Sequence, residues 1–213
     1  MIIVYVNSKE DTSTFSPLYE GIEGSTMLYN PSREDVVRVL TERPNESLMC
    51  FGHGSPRGLF SHDWSGLIID GSMVDLLRDR DIIGIWCYAS EFARIHNLRG
   101  FFTYMFVSNL QECVFGHHGY YDESIIFEQN EKFARRVNEL INNNTPLEEW
   151  VEILYNGRDL GYSFVDYNYG NLSYFDGDEN DGYRSVLVEC DGFEDIVFDD
   201  AEENLFGSDI LPF

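Results

Sequence analysis

A chain of 213 residues, 43% hydrophobic and 15% aromatic, can bury the core of one domain, or of one domain with a modest appendage, and is not disordered by composition. Its 14 basic against 38 acidic side chains give a net charge of −24, which repels nucleic-acid phosphates and anionic membranes and favours cationic substrates or partners. No apolar run approaches the roughly 18 residues of a membrane span, and four unpatterned cysteines without an export signal argue against a disulfide framework; a cytoplasmic protein with free thiols is expected.

Short β-rich runs alternate with helix-like stretches, the pattern of a mostly parallel sheet covered by helices. Residues 1–6 read as the first strand and Thr26–Tyr29 as a second. Asn30-Pro31-Ser32 opens a helix with Val36, Val37 and Leu40 at core spacing. Ser47–Phe51 is a buried strand ending in Gly52-His53-Gly54. A hairpin follows, its arms Gly58–Ser61 and Gly66–Asp70 flanking His62-Asp63-Trp64-Ser65. Gly71-Ser72 leads into a helix with Met73, Leu76 and Leu77. Ile82–Trp86 is another buried strand, stopped by Cys87. Ser90–Leu98 reads as helix and Phe101–Val107 as strand. Residues 122–143 and 146–156 read as two helices broken by Asn142-Asn143-Asn144-Thr145-Pro146, and Tyr162–Val165, Leu172–Phe175 and Ser185–Val188 are strand-like. The expected division is 1–157 as the main domain and 158–213 as an acidic, Tyr-rich segment that packs on it or regulates it. Within that segment, residues 176–213 hold thirteen acids and one base, Arg184.

Two buried strands thus end on reactive residues, one on His53 and the other on Cys87. In open α/β sheets the functional crevice lies beyond the carboxyl ends of the strands, so a His and a Cys at adjacent strand ends face each other across it. The 34-residue spacing leaves room for a hairpin and a crossover helix. A nearby imidazole raises the reactive fraction of a thiol and, with a near-neutral pKa, can protonate a leaving amine. Gly54 permits close backbone approach, and its N–H with that of Cys87 could hold a tetrahedral oxyanion, about 3–4 kcal/mol per donor.

An apolar block ending in His-Gly, followed by one ending in Cys, resembles the caspase-like cysteine peptidases, which include caspases, metacaspases, gingipains, legumains, separases and CHAT proteases. The resemblance covers about residues 1–120 and is strongest in 48–54 and 82–93. It implies a three-layer α/β sandwich, catalysis by His53 and Cys87, and oxyanion amides at Gly54 and Cys87. Trp86 stands where the family often has Ala. The resemblance also implies a pocket walled by segments just after the two strands. Asp63, Asp70, Glu91 and Glu112 are the acids there that would select Arg or Lys, and Arg57 is the base that would select Asp; the overall charge favours a basic residue. Thr103–Asn109 could pair with an extended substrate as an added strand.

Cys50, His53, Cys113, His117 and His118 could be drawn as a zinc site, but Cys50 and His53 would point to opposite faces of a regular strand, and no metal is expected. The stretch from Asp176 to Gly182 begins like a calcium loop, yet its Gly falls at the seventh position and Leu187 at the twelfth, which excludes an EF-hand. No cofactor is expected, although calcium activates some metacaspases. Arg135-Arg136 is a candidate processing site. The function expected is endopeptidase cleavage of a protein or peptide, with a catalytically inactive binding protein of the same fold, or an acidic decoy for a basic partner, as alternatives.

Overall fold

The apolar runs pair side by side. In the computed structural model, which describes residues 1–7, 12–177 and 184–185, the strands are β1 (Ile2–Tyr5), β2 (Thr26–Tyr29), β3 (Leu48–Phe51), β4 (Gly54–Ser55), β5 (Gly58–Phe60), β6 (Leu67–Asp70), β7 (Ile82–Ile85), β8 (Arg99–Thr103), β9 (Leu172–Asp176) and β10 (Arg184–Ser185). Seven of them form one sheet in the order β10-β9-β8-β7-β3-β1-β2, and β4-β5-β6 form a separate antiparallel one. From β8 to β2 the pairing is parallel, while β9 and β10 join antiparallel. Every residue of β1, β3 and β7 is buried, which is why these strands read as continuous apolar runs rather than alternating ones.

The helices are α1 (Arg33–Glu42), α2 (Val74–Leu77), α3 (Ala89–His96), α4 (Leu110–Phe115), α5 (Glu123–Asn142), α6 (Leu147–Gly157) and α7 (Ser163–Gly170). They cover both faces. Ile2, Val4, Leu48, Cys50, Ile82 and Phe102 pack with α1, α2, α3 and the β5–β6 hairpin. Their sequence neighbours Ile3, Tyr5, Met49, Ile83, Ile85 and Phe101 point the other way and pack with α4–α7 and a 3₁₀ segment, Thr12–Tyr19. The result is a mostly parallel sheet between two helical layers. Polar side chains set the helix starts: the Ser32 hydroxyl accepts from the Asp35 N–H, Asn109 Oδ1 from Glu112 N–H and Asp122 from Ser124 N–H.

Arg80, only 3% exposed, joins the ends of α1 and α2. Its guanidinium donates to the carbonyls of Leu76 (2.8 Å), Glu46 (2.9 Å), Leu40 (3.2 Å) and Arg43 (3.3 Å). Orphan helix carbonyls thereby gain both donors and a favourable positive charge.

Two elements depart from the sequence reading. The aromatic run from Tyr162 to Val165 starts helix α7, because Phe164, Val165, Asn168 and Tyr169 share its buried side. α7 and β9 build into the same core and sheet as the preceding residues. The strand expected over Phe101–Val107 ends at Thr103, whose hydroxyl donates to the Trp86 carbonyl (2.9 Å), and the chain continues as loop 104–109. The strand-like run at 185–188 lies outside the described residues beyond Ser185.

Candidate active site

β3 and β7 are neighbours in parallel register, with Phe51 opposite Ile85. Gly52 N–H continues the ladder to Ile85 O at 3.2 Å. His53 and Cys87 therefore each lie two residues beyond the same rung, at the carboxyl edge of the sheet. Gly52 turns the chain there with φ 148°, and an added Cβ would lie 2.8 Å from Val6 O. From His53 the chain leaves the main sheet: its carbonyl accepts from Phe60 N–H (2.9 Å), and Gly54 pairs with Leu59.

Gly54 is required by its neighbour. A Cβ at this position would sit 2.1 Å from Trp86 Cδ1 and 2.8 Å from Gly58 O. Trp86 is buried to 3% exposure, packs on Phe92, and directs its indole N–H to Ser55 O (3.4 Å). A bulky residue before Cys87 and a glycine after His53 are thus one steric arrangement.

Cys87 opens the turn into α3, where Tyr88 adopts a left-handed conformation (φ 67°) and donates its N–H to Tyr104 O (3.1 Å). The residue is half-buried, but its sulfur turns inward to the Phe106 carbonyl at 3.9 Å. Desolvation first, then the negative charge of Glu112, push the thiol up to about 12, and the Phe106 contact offsets this only in part. Burial in this position therefore favours the protonated thiol over the thiolate, the nucleophilic form.

Loop 104–109, which walls this sulfur, is fixed from beneath. Asn168 on α7 accepts from Val107 N–H (2.8 Å) and donates to Val107 O (3.0 Å), as a strand partner would. Asn130 on α5 donates to Ser108 O (3.0 Å). Both asparagines are at most 3% exposed. Ser108 in turn gives its N–H (2.6 Å) and hydroxyl (2.8 Å) to Glu112. With the backbone of Tyr104, Val107 and Ser108 engaged in this way, an extended substrate could pair with this segment only by displacing those bonds.

The four candidate pocket acids are dispersed. Glu112 is the one whose charge acts on Cys87. Glu91 sits in the first turn of α3, within electrostatic reach of Tyr88. Asp63 braces the β5–β6 turn: it accepts from both Ser61 and Ser65 hydroxyls (2.7 Å each) and from Ser65 N–H (3.1 Å), and these bonds hold its carboxyl well below the usual range. Asp70 is bound by the Arg33 guanidinium at 2.7 and 3.0 Å. Arg57 lies exposed in the β4–β5 turn, its N–H on Ser55 Oγ (3.2 Å).

The zinc arrangement is not assembled: Cys50 packs with the α1–α3 layer and Cys113 with the α4–α7 layer, so the sheet separates them. Among the described residues no group of three or more His, Cys, Asp or Glu is placed to hold a metal. The calcium-like stretch lies outside the described residues beyond Gly177, as does most of the acidic tail. Arg135 and Arg136 sit within regular helix α5, the first paired with Glu131 (2.6 Å), the second with Asp159 and the Tyr169 hydroxyl (2.7 Å each). No described helix is long and apolar enough to cross a membrane.

Sequence reading missed the two clamping asparagines, Asn130 because an Asn within a helix reads as a surface residue and Asn168 because the sequence reads as strand where α7 begins, and it passed over Trp64. That indole is 54% exposed at the hairpin tip, 5.1 Å from the His53 ring and 5.2 Å from Phe60, centroid to centroid. Its left-handed φ of 61° costs about 1–2 kcal/mol for a residue with a side chain. A large aromatic in the middle of a polar turn was the available signal. A cleft of about 490 Å³ opens elsewhere, at the amino ends of the parallel strands, lined by Ser47, Asp81, Arg99, Glu148, Trp150 and Tyr174 among others.

No protein-family model matches the chain, and no curated protein is significantly similar to it.

Proposed function

We propose that the chain is a caspase-like cysteine endopeptidase in a latent state, with Cys87 as nucleophile and His53 as its acid–base partner. The observation that carries this reading is the shared register of β3 and β7, from which His53 and Cys87 emerge side by side at the carboxyl edge. The helical layers on both faces of a mostly parallel sheet accord with the three-layer sandwich of that family. In the working state the Cys87 sulfur would attack the scissile carbonyl and His53 would accept the thiol proton and pass it to the leaving amine. The amides of Gly54 and Cys87 would stabilise the oxyanion. Water would then release the acyl group from sulfur.

The inward, protonated thiol is the reason for a latent state: Cys87 must turn away from Phe106 before it can react. The same observation favours a second reading, an inactive binding protein of this fold. Cleavage after Arg or Lys is the preference that the net charge of −24 supports, no metal is needed for the chemistry, calcium is a candidate activator, and the acidic tail is a candidate regulatory element that competes with basic substrates. A reducing cytoplasm suits a free nucleophilic thiol.

The test is cleavage of a mixed peptide library by wild type, His53→Ala and Cys87→Ala, with and without calcium. Cleavage by wild type alone supports the dyad, and the residue before the cut reads out the preference. Cleavage that survives both substitutions refutes the assignment. Absence of cleavage under all conditions, with no labelling of Cys87 by a peptidyl thiol-directed inhibitor, selects the inactive binding protein.

A further inference from the structure

The β5–β6 hairpin carries a feature that its own folding does not need. Its turn is closed by Ser61 N–H to Gly66 O (2.8 Å) and by the three bonds that Asp63 accepts from Ser61 and Ser65. These bonds rigidify the tip and keep the Asp63 carboxylate charged and exposed. Between Asp63 and Ser65, Trp64 is presented in a left-handed conformation with 54% of its surface open, although the core of the hairpin is already filled by Leu59, Ile68 and Ile69. The indole leans on the His53 ring (5.1 Å, 34° between planes), so the open aromatic surface borders the residue that would act as acid and base. An indole face attracts cations through its quadrupole, and a planar guanidinium stacks on it better than an ammonium does. The neighbouring carboxylate and the −24 net charge add the same preference.

We propose that Trp64 is a specificity-determining residue: its exposed indole is the platform on which the guanidinium of a substrate arginine stacks, with the carboxylate of the preceding Asp63 adding its charge. The proposal rests on the peptidase reading only in taking the crevice beside His53 as the place of the substrate. It assigns to Asp63 the task of holding the platform rigid and charged, in place of a role at the bottom of a pocket.

The test uses a spectroscopic property of this chain. Trp86 and Trp150 are 3% and 2% exposed, so fluorescence quenching by the neutral quencher acrylamide reports mainly on Trp64. The Cys87→Ala protein is titrated with an alanine pentapeptide amide carrying one central arginine, and with the same peptide carrying citrulline, which is planar but neutral. The arginine peptide is expected to shield the exposed indole and to bind about two- to thirty-fold more tightly than the citrulline peptide, the range of one cation–π contact. Isothermal calorimetry on Trp64→Leu, which keeps an apolar side chain against Phe60, is expected to show that preference lost, and Trp64→Phe to restore part of it. Equal binding of the two peptides by the Cys87→Ala protein, no binding, or an unchanged preference in a folded Trp64→Leu protein overturns the proposal. Cleavage is read separately on the protein with Cys87 intact: arginine-selective shielding without any cleavage would leave Trp64 as a ligand platform and refute the peptidase reading alone.

Discussion

The state of the Cys87 thiol yields a quantitative prediction. With its ionisation pushed up to about 12, the thiolate fraction at pH 8 is about 10⁻⁴, against about one quarter for an ordinary thiol near 8.5. The more basic thiolate is intrinsically more nucleophilic, with a Brønsted slope of about 0.4–0.5, which returns about 1.6 of the 3.5 lost decades. Alkylation of Cys87 by iodoacetamide should therefore run about 60–100-fold slower than that of a cysteine in the urea-unfolded chain, before any steric obstruction by loop 104–109. Glu112→Gln keeps an oxygen to accept from Ser108 but removes the charge. A nearby carboxylate contributes about 1–2 kcal/mol, so the alkylation midpoint should fall by about one pH unit and the rate at pH 8 rise about three- to fourfold. Peptide mapping by mass spectrometry separates Cys87 from the other thiols. Because the unfolded thiol ionises near 8.5 and the folded one near 12, the unfolded chain binds fewer protons between those values, and stability should decline as pH rises through that window. Labelling of Cys87 in the folded protein at pH 7–8 as fast as in urea would refute the account of a suppressed thiol. A midpoint that does not move on Glu112→Gln would remove Glu112 from it.

Two further predictions concern the scaffold. Arg80→Ala strands up to four carbonyls, those of Leu40 and Arg43 at the end of α1, Leu76 in α2 and Glu46 in the turn before β3, and opens a void, and should cost about 3–5 kcal/mol in urea unfolding; a loss under 1 kcal/mol would show that water replaces the guanidinium. Asn168→Ala leaves both Val107 backbone groups without their side-chain partner, and should cost about 2–4 kcal/mol and raise the Cys87 alkylation rate by freeing loop 104–109; an unchanged rate in a folded variant would mean that the asparagine does not hold that wall.

The parts of the fold legible in the sequence were those in which one strong local signal met no competitor. β3 and β7 read correctly because a four-residue run buried on both faces takes apolar side chains throughout, and Gly52 marks the end of the first. The hairpin was legible from glycine placement around a polar tetrad. Failure came where aromatic residues serve either structure. Tyr162, Phe164 and Tyr167 suit a strand as well as a helix, and only the burial of Asn168 and Tyr169 one turn beyond Phe164 and Val165 decides for α7. The same applies beyond Thr103, where Phe106 and Val107 are as apolar as a strand requires, yet the backbone of Val107 and Ser108 is taken up by side chains from α7 and α5, 61 and 22 positions away.

That asymmetry bears on the candidate site. Local patterning places His53 and Cys87 each at the end of a buried strand, while the neighbouring positions of β3 and β7 come from sheet order, which the runs themselves only permit. What governs the sulfur's reactivity is non-local: Phe106 O receives it, Asn130 and Asn168 fix the loop that carries Phe106, and Glu112 adds its charge from the next helix. Of these residues only Glu112 is singled out by the sequence, and there as a pocket acid rather than as a charge acting on the thiol. On the peptidase reading proposed above, the sequence presents His53 and Cys87 while burial against Phe106 favours the protonated thiol, and Cys87 must turn away from loop 104–109 before it can react.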